Sequence, residues 1–260
     1  MKNRATADKM PLPSWRKMRK NILAILLATI LIVVLCGCEP IVDPPKVDPP
    51  QSDKMVHFKD GPAEDFWARN DGGNGYPFNC SFQQDHAIIQ GGVLTLLLDQ
   101  SNGGFVGAEY RSRQYFSYGM YSVSMKPAKC SGVISSFFTY TNNPWDEIDI
   151  EFLGNDTTKV QFNYFTNGVG EHEFVYDLGF DASEDFHEYA FLWLPNSITW
   201  YVDGVAVYSA TENVPQASAQ IMMNLWNVHD DLAGWPGKLD QSQLPSEAQY
   251  QWIDFQPQQQ

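Results

Sequence analysis

The run Trp145-Asp-Glu-Ile-Asp-Ile-Glu151 packs its acids at a spacing that can do chemistry. On an extended strand, alternate side chains point to opposite faces. Ile148, Ile150 and Phe152 therefore share one face and read as core. Trp145, Glu147, Asp149 and Glu151 share the other. No Lys or Arg is interleaved among these acids, so they repel one another, whereas an ordinary solvated strand face mixes signs. Clustered acids also push their pKa values apart, which yields one ionised and one protonated carboxyl. Cleaving a glycosidic bond needs that pair. Trp145 adds a flat surface on which a sugar ring can stack. A calcium site or a plain acidic edge would use the same residues. The spacing leaves a tension. Glu147 and Glu151 lie ~13 Å apart at Cα on a straight strand, while a retaining pair needs carboxyl groups ~5–5.5 Å apart. The side chains must lean together over Asp149, or the strand must curve.

The rest of the chain reads as the strands that would position this one. Period-two alternation recurs, as in Met120-Tyr-Ser-Val-Ser-Met125, where Tyr121, Val123 and Met125 alternate with serines. Residues 198–202 and 205–208 flank Asp203-Gly204, whose readiness for positive φ marks a two-residue hairpin turn. Residues 186–194 and 219–226 read as further strands. There are 16 Phe, 12 Tyr, 8 Trp, 19 Gly and 16 Pro, and no amphipathic helix of useful length follows Leu35. The expectation is an all-β jelly-roll β-sandwich of two antiparallel sheets with a concave substrate cleft.

The N-terminus stands apart. Seven Lys and Arg precede an apolar run at 22–35, shorter than the ~20 residues of a spanning helix. The run ends in Leu35-Cys36-Gly37-Cys38, which resembles the bacterial lipobox. That resemblance implies a signal peptide over 1–37 and a lipid on Cys38; an uncleaved signal anchor is the alternative, and translation from Met18 would shorten the basic region. Five prolines between 39 and 50 predict an extended stalk. The expected organisation is thus a lipoprotein-type signal peptide at 1–37, a Pro-rich linker at 38–53 and one domain at 54–260. Either reading of the leader places that domain outside the cytoplasm, on the cell surface or in a periplasm. Removing the leader leaves 10 basic and 30 acidic residues. Such a surface repels nucleic acid and anionic polysaccharide and suits a neutral glycan. Two cysteines remain, Cys80 and Cys130, and a disulfide between them stays open. No Cys/His spacing predicts a metal site.

Asp146-Glu-Ile-Asp-Ile-Glu-Phe-Leu-Gly154 resembles the signature of glycoside hydrolase family 16, and most closely that of the bacterial lichenases, which are endo-β-1,3-1,4-glucanases. The likeness runs from about Phe58 to Phe255 and includes Phe78-Asn-Cys80, Glu109-Tyr-Arg-Ser112, Thr157-Thr-Lys-Val-Gln-Phe-Asn163 and Ile221-Met-Met-Asn-Leu-Trp226. It implies a monomeric enzyme that hydrolyses mixed-linkage β-glucan by double displacement. By position, Glu147 would be the nucleophile, Glu151 the general acid/base and Asp149 the helper that hydrogen-bonds the nucleophile. Asn74, Glu109, Arg111, Gln161 and Asn163 would contact sugars, and Asn224 and Trp226 would line the cleft beside Trp145. His229, Asp230 and Trp235 lie where the resemblance does not align cleanly.

Four departures bear on this expectation. Gly107 stands where lichenases carry the disulfide partner of Cys80. The loop Thr141-Asn-Asn-Pro-Trp145 is shorter. The segment at 227–238 is altered, and its Asp230-Asp231 and Gly237-Lys238 resemble plant xyloglucan-active members. Gln251 stands where the family places a calcium-binding Asp, and loses the charge a hard cation prefers. No cofactor is expected, with a structural calcium left open. A xyloglucan endo-hydrolase or transglycosylase is the alternative within the family, and a non-catalytic surface glycan-binding lipoprotein the alternative outside it. Laminarinases usually carry an extra residue between the second and third acids; here Asp149 and Glu151 are two apart.

Overall fold

The structure, a computed structural model, describes residues 56–259. The leader, Cys38 and the Pro-rich stretch lie outside these residues. Sixteen strands are described: β1 Val56–His57, β2 Phe66–Ala68, β3 Ser81–Phe82, β4 Ala87–Gln90, β5 Val93–Ser101, β6 Gly104–Ser112, β7 Gly119–Lys126 and β8 Val133–Asn142. They continue with β9 Trp145–Leu153, β10 Lys159–Phe165, β11 Phe174–Asp177, β12 His187–Leu194, β13 Ser197–Val202, β14 Val205–Ala210, β15 Gln220–Asn227 and β16 Ser246–Pro257. Between them lie loops and four short 3-10 turns, and no α-helix occurs among the described residues.

The hydrogen-bonded order is β11-β10-β9-β8-β15-β6-β5-β16-β7-β12-β13-β14. The pairs along this path are antiparallel. The expected sandwich is therefore present, but its two layers are one sheet folded over at the β5–β6 hairpin. That hairpin turns on Asn102 and Gly103, both at positive φ (51° and 81°). The β13–β14 hairpin turns the same way on Asp203 and Gly204 (48° and 74°). Such residues supply the backbone twist that two-residue turns require.

The layers meet through side chains that alternate inward. Leu94, Leu96 and Leu98 of β5, Tyr121, Val123 and Met125 of β7, and Ile148, Ile150 and Phe152 of β9 are all fully buried. Aromatic pairs cross the interior: Phe152 on Tyr189, Phe162 on Trp200 and Phe137 on Phe191. Two bonds from one layer pin the backbone of the other. The Trp200 indole N–H donates to the Asp149 carbonyl at 3.1 Å, and the Tyr250 hydroxyl donates to the Ser136 carbonyl at 3.0 Å.

Cys80 and Cys130 are both buried free thiols. Burial pushes Cys80 up to about 12 and Cys130 up to about 11, so neither forms a reactive thiolate near neutrality. A Cβ at Gly107 would lie 3.1 Å from the Cys80 sulfur, so this glycine does stand against that thiol. Gln251 accepts a hydrogen bond from the Ser124 hydroxyl at 3.0 Å.

Asp146 breaks the apolar parity of β9. It is 2% exposed and lies in step with Ile148 and Ile150. A buried carboxylate there needs donors. It accepts from the Asn167 amide at 2.9 Å and from the Gln216 and Ala217 amides at 2.8 and 2.9 Å. Two separate chain segments, at 167 and at 216–217, are thus tied to the start of β9. Asp146→Asn puts an NH2 group where an oxygen now accepts backbone N–H bonds. The expected cost is about 3 kcal/mol, seen as a fall of roughly 10 °C in Tm by thermal unfolding. A variant that melts with the parent would contradict the clamp.

Candidate active site

Strand register assembles the site from segments far apart in the chain. Opposite Glu151 lie Gln161 on β10 and Ser136 on β8; beyond Ser136 come Asn224 on β15 and Glu109 on β6. Opposite Asp149 lie Asn163 and Phe138, followed by Met222 and Arg111. Opposite Glu147 lie Phe165 and Tyr140. These transverse rows form the floor of a concave cleft of about 770 Å³. Every residue expected in the site lines it: Asn74, Glu109, Arg111, Trp145, Glu147, Asp149, Glu151, Gln161, Asn163, Asn224 and Trp226.

The carboxylates are held by neutral donors. The Trp145 indole N–H donates to Glu147 Oε2 at 2.6 Å. Asp149 hydrogen-bonds Glu147 on its other side, a contact that favours a protonated Asp149 and an ionised Glu147. Gln161 Nε2 donates to Glu151 Oε2 at 3.0 Å. Among the described residues, no Lys, Arg or His forms an ion pair with these three acids. The cations are engaged elsewhere. Arg111 hydrogen-bonds the buried Glu109, Arg69 Nη1 lies 3.6 Å from Glu109, and Arg69 also holds the Asn74 side-chain oxygen.

The apolar walls are mostly aromatic. Trp145 is 42% exposed and stacks on Phe165 with ring centroids 5.0 Å apart. Trp226 is 4% exposed and joins the core while its ring meets Phe78 at 4.0 Å, so it serves both core and cleft. Trp235 lines the cleft, and its indole N–H donates to Gln161 Oε1 at 3.0 Å. His229 stacks against Tyr76 at 5.8 Å, with Tyr76 itself at the cleft wall. Asp230 is exposed and not part of the lining.

Sequence reasoning missed Arg69, Tyr76, Phe138, Tyr140, Phe165 and Glu173. Phe138 and Tyr140 carried a readable signal, since they alternate with Phe137 and Thr139 along β8. Phe165 carried the same signal, since it lies in step with Gln161 and Asn163 on β10; Arg69, Tyr76 and Glu173 come from loops, where no periodicity marks a face.

Burial raises all three acids. It lifts Glu147 to about 7, with the Trp145 and Asp149 hydrogen bonds pulling the other way. It lifts Glu151 to about 8, aided by the charge on Glu147 and opposed by the Gln161 donor. Asp149 is pushed well above the usual carboxylate range by burial and then by the charges of Glu147 and Glu151. The Trp145 and Asp149 hydrogen bonds on Glu147, against the single Gln161 donor on Glu151, favour ionisation of Glu147 before Glu151. These shifts also make stability pH-dependent. Between its ordinary value and about 8, folded Glu151 holds a proton that the unfolded chain releases, so its ionisation destabilises the fold as pH rises. Glu151→Gln removes that cost. The variant is expected to melt several degrees above the parent at ~pH 8.5, and the difference should vanish near ~pH 4. A gap that instead grew on acidification would reverse this sign.

The comparisons with known proteins agree with this geometry. The chain is 51% identical over 199 residues to a beta-glucanase of Paenibacillus macerans, covering 73% of this chain and 82% of that one. It is 42% identical over 248 residues to a beta-glucanase of Acetivibrio thermocellus, covering 92% and 73%. A solved prokaryotic beta-1,3-1,4-glucanase (lichenase) from a mouse hindgut metagenome superposes with a TM-score of 0.75 at 46% identity, covering 78% of this chain and 98% of that one. The family model described as glycosyl hydrolases family 16 matches residues 74–253. With its concave acidic floor and this match, the chain belongs to glycosyl hydrolases family 16.

Proposed function

We propose that the domain is a retaining endo-β-glucanase that hydrolyses mixed-linkage β-1,3-1,4-glucan by double displacement. The observation that carries this reading is the row Glu147, Asp149 and Glu151 on the floor of an aromatic-walled cleft, held by neutral donors and, among the described residues, in no ion pair. The lichenase and the beta-glucanases to which the chain is similar supply the substrate class.

In this reading a glucan lies across the concave face with one sugar over the carboxylate row. Glu147, ionised first, attacks the anomeric carbon. Glu151, still protonated, gives its proton to the departing glycosidic oxygen. Water then attacks the anomeric carbon as Glu151 takes a proton from it, and the ester bond to Glu147 breaks, which frees the sugar and the Glu147 carboxylate. Asp149 gives a hydrogen bond to Glu147 while that side chain is ionised and steadies the charge as it returns. Asn74, Glu109, Arg111, Asn163, Asn224 and Trp226 bind the sugars, with Trp145 as a stacking surface. The basic start, short apolar run and Cys38 support a lipid-anchored location outside the cytoplasm, with the Pro-rich stretch as a spacer.

Glu151→Gln is expected to lower kcat by ~10²–10⁴-fold, and Glu147→Gln at least as much, with both variants folded. Azide distinguishes the roles. Glu147→Ala should give the glycosyl azide of inverted configuration, and Glu151→Ala that of retained configuration, read by proton NMR. Near-normal turnover in either Gln variant would sink the assignment. The parent's kcat/KM should be bell-shaped, with limbs near 7 and 8 set by the coupled acids. Reducing-end release from barley glucan, xyloglucan, laminarin and cellulose tests the substrate. Preference for xyloglucan would overturn the mixed-linkage assignment and leave the chemistry intact. Binding without release would make the protein a glycan binder.

A further inference from the structure

Gln161 has both ends of its amide bound by protein. Its Oε1 accepts from the Trp235 indole and its Nε2 donates to Glu151, each at 3.0 Å. An indole N–H can only donate, so the atom that faces it must be the amide oxygen. The NH2 group is thereby turned toward Glu151 and cannot swap places with the oxygen. Gln161 is 6% exposed, and Trp235 packs on Trp226 with ring centroids 6.1 Å apart. The contact thus lies at the buried floor of the cleft, where protein groups satisfy both ends of the amide.

We propose that Trp235 is a positioning residue for proton transfer: its indole locks the Gln161 amide, which holds Glu151 by Oε2 and leaves Oε1 to carry the proton. The proposal rests on reading Glu151 as the general acid/base. When Glu151 protonates the leaving oxygen, negative charge develops on its carboxylate, and the fixed Gln161 N–H is already aimed at it. A donor preset toward developing charge needs no reorganisation at that moment. A free amide would spend part of its time with its oxygen toward Glu151, which favours the protonated acid and opposes release of the proton.

Trp235 lies just after the short 3-10 turn Asp230–Leu232, and the loop that begins there also carries His229, stacked on Tyr76 at the cleft wall. One loop therefore bears on both a wall of the cleft and the acid. The other ionisable groups around Glu151 are Glu147 and Asp149 on its own strand, Glu173 after β10 and Tyr140 on β8. Glu109 and Arg111 on β6, and Tyr76 on the cleft wall, complete the set that lines the cleft with it. Changing Trp235 alters none of them.

The test is the pH profile of barley-glucan hydrolysis by Trp235→Phe, which keeps an aromatic ring against Trp226 and removes the N–H. The expected result is a kcat about tenfold lower with KM unchanged, and a basic limb moved upward by about half a pH unit. Gln161→Met should do the same, and the double variant should be no worse than Gln161→Met alone. The tryptophan analogue with sulfur in place of the indole N–H, installed at 235, makes the same test without changing shape should the Phe variant not fold. An unmoved basic limb, a change in KM alone, or effects that multiply in the double variant would each overturn the proposal. Trp235 would then be a sugar contact or a packing residue. These outcomes leave the role of Glu151 standing, which fails only if Glu151→Gln retains turnover.

Discussion

Everything in this domain depends on how one strand divides its faces. On β9 the period of two sends Ile148, Ile150 and Phe152 inward and Glu147, Asp149 and Glu151 outward. The inward set is buried completely, at roughly 1.5–3 kcal/mol per side chain. That stabilisation offsets the cost of crowding three like charges into a cleft. A slip of one residue would exchange the two sets and bury the acids in the core, so the register is held hard. Trp200 and Tyr250, donating from the opposite layer to the backbones of β9 and β8, hold it at the level of the carboxylate row.

The charges around the cleft are segregated. Its arginines serve Glu109, Asp71 and Asn74, while the three central acids are met by an indole and an amide. A guanidinium beside Glu151 would lower its pKa and remove the proton that the proposed mechanism uses. Neutral N–H groups orient a carboxyl with less bias toward ionisation. The same logic gives Glu147 two hydrogen-bonding partners and Glu151 one amide donor, and so keeps the two acids apart in the order in which they lose protons.

Much of this was legible in the residues, and what was not has a physical cause. Parity on β9 and the Asp203-Gly204 hairpin are local, so spacing alone revealed them. The resemblance then brought in Asn74, Glu109, Arg111, Asn163 and Asn224, whose convergence depends on pairings between strands up to about a hundred residues apart that no local pattern encodes. Asp146 was visible as a lone acid on an apolar face, but its three amide partners come from loops without periodicity. Trp235 lies in a segment with no period-two alternation, and only the folded chain brings it to Gln161. The continuity of the two layers was equally hidden, because an Asn-Gly turn looks the same whether it links neighbours in one sheet or bends a sheet over.

The place of β16 has a consequence for how the chain comes to be folded. This last strand is not an edge; it lies between β5 and β7, near the middle of the hydrogen-bonded order. Until it arrives, β5 and β7 each expose an unpaired backbone edge, and the core residues Ala248, Tyr250 and Ile253 are missing. The domain therefore closes only after nearly all of it has been synthesised, and its nascent form is an open sheet with two adhesive borders. Delay in closing β16 into the sheet therefore lengthens the time during which those borders can pair with another copy.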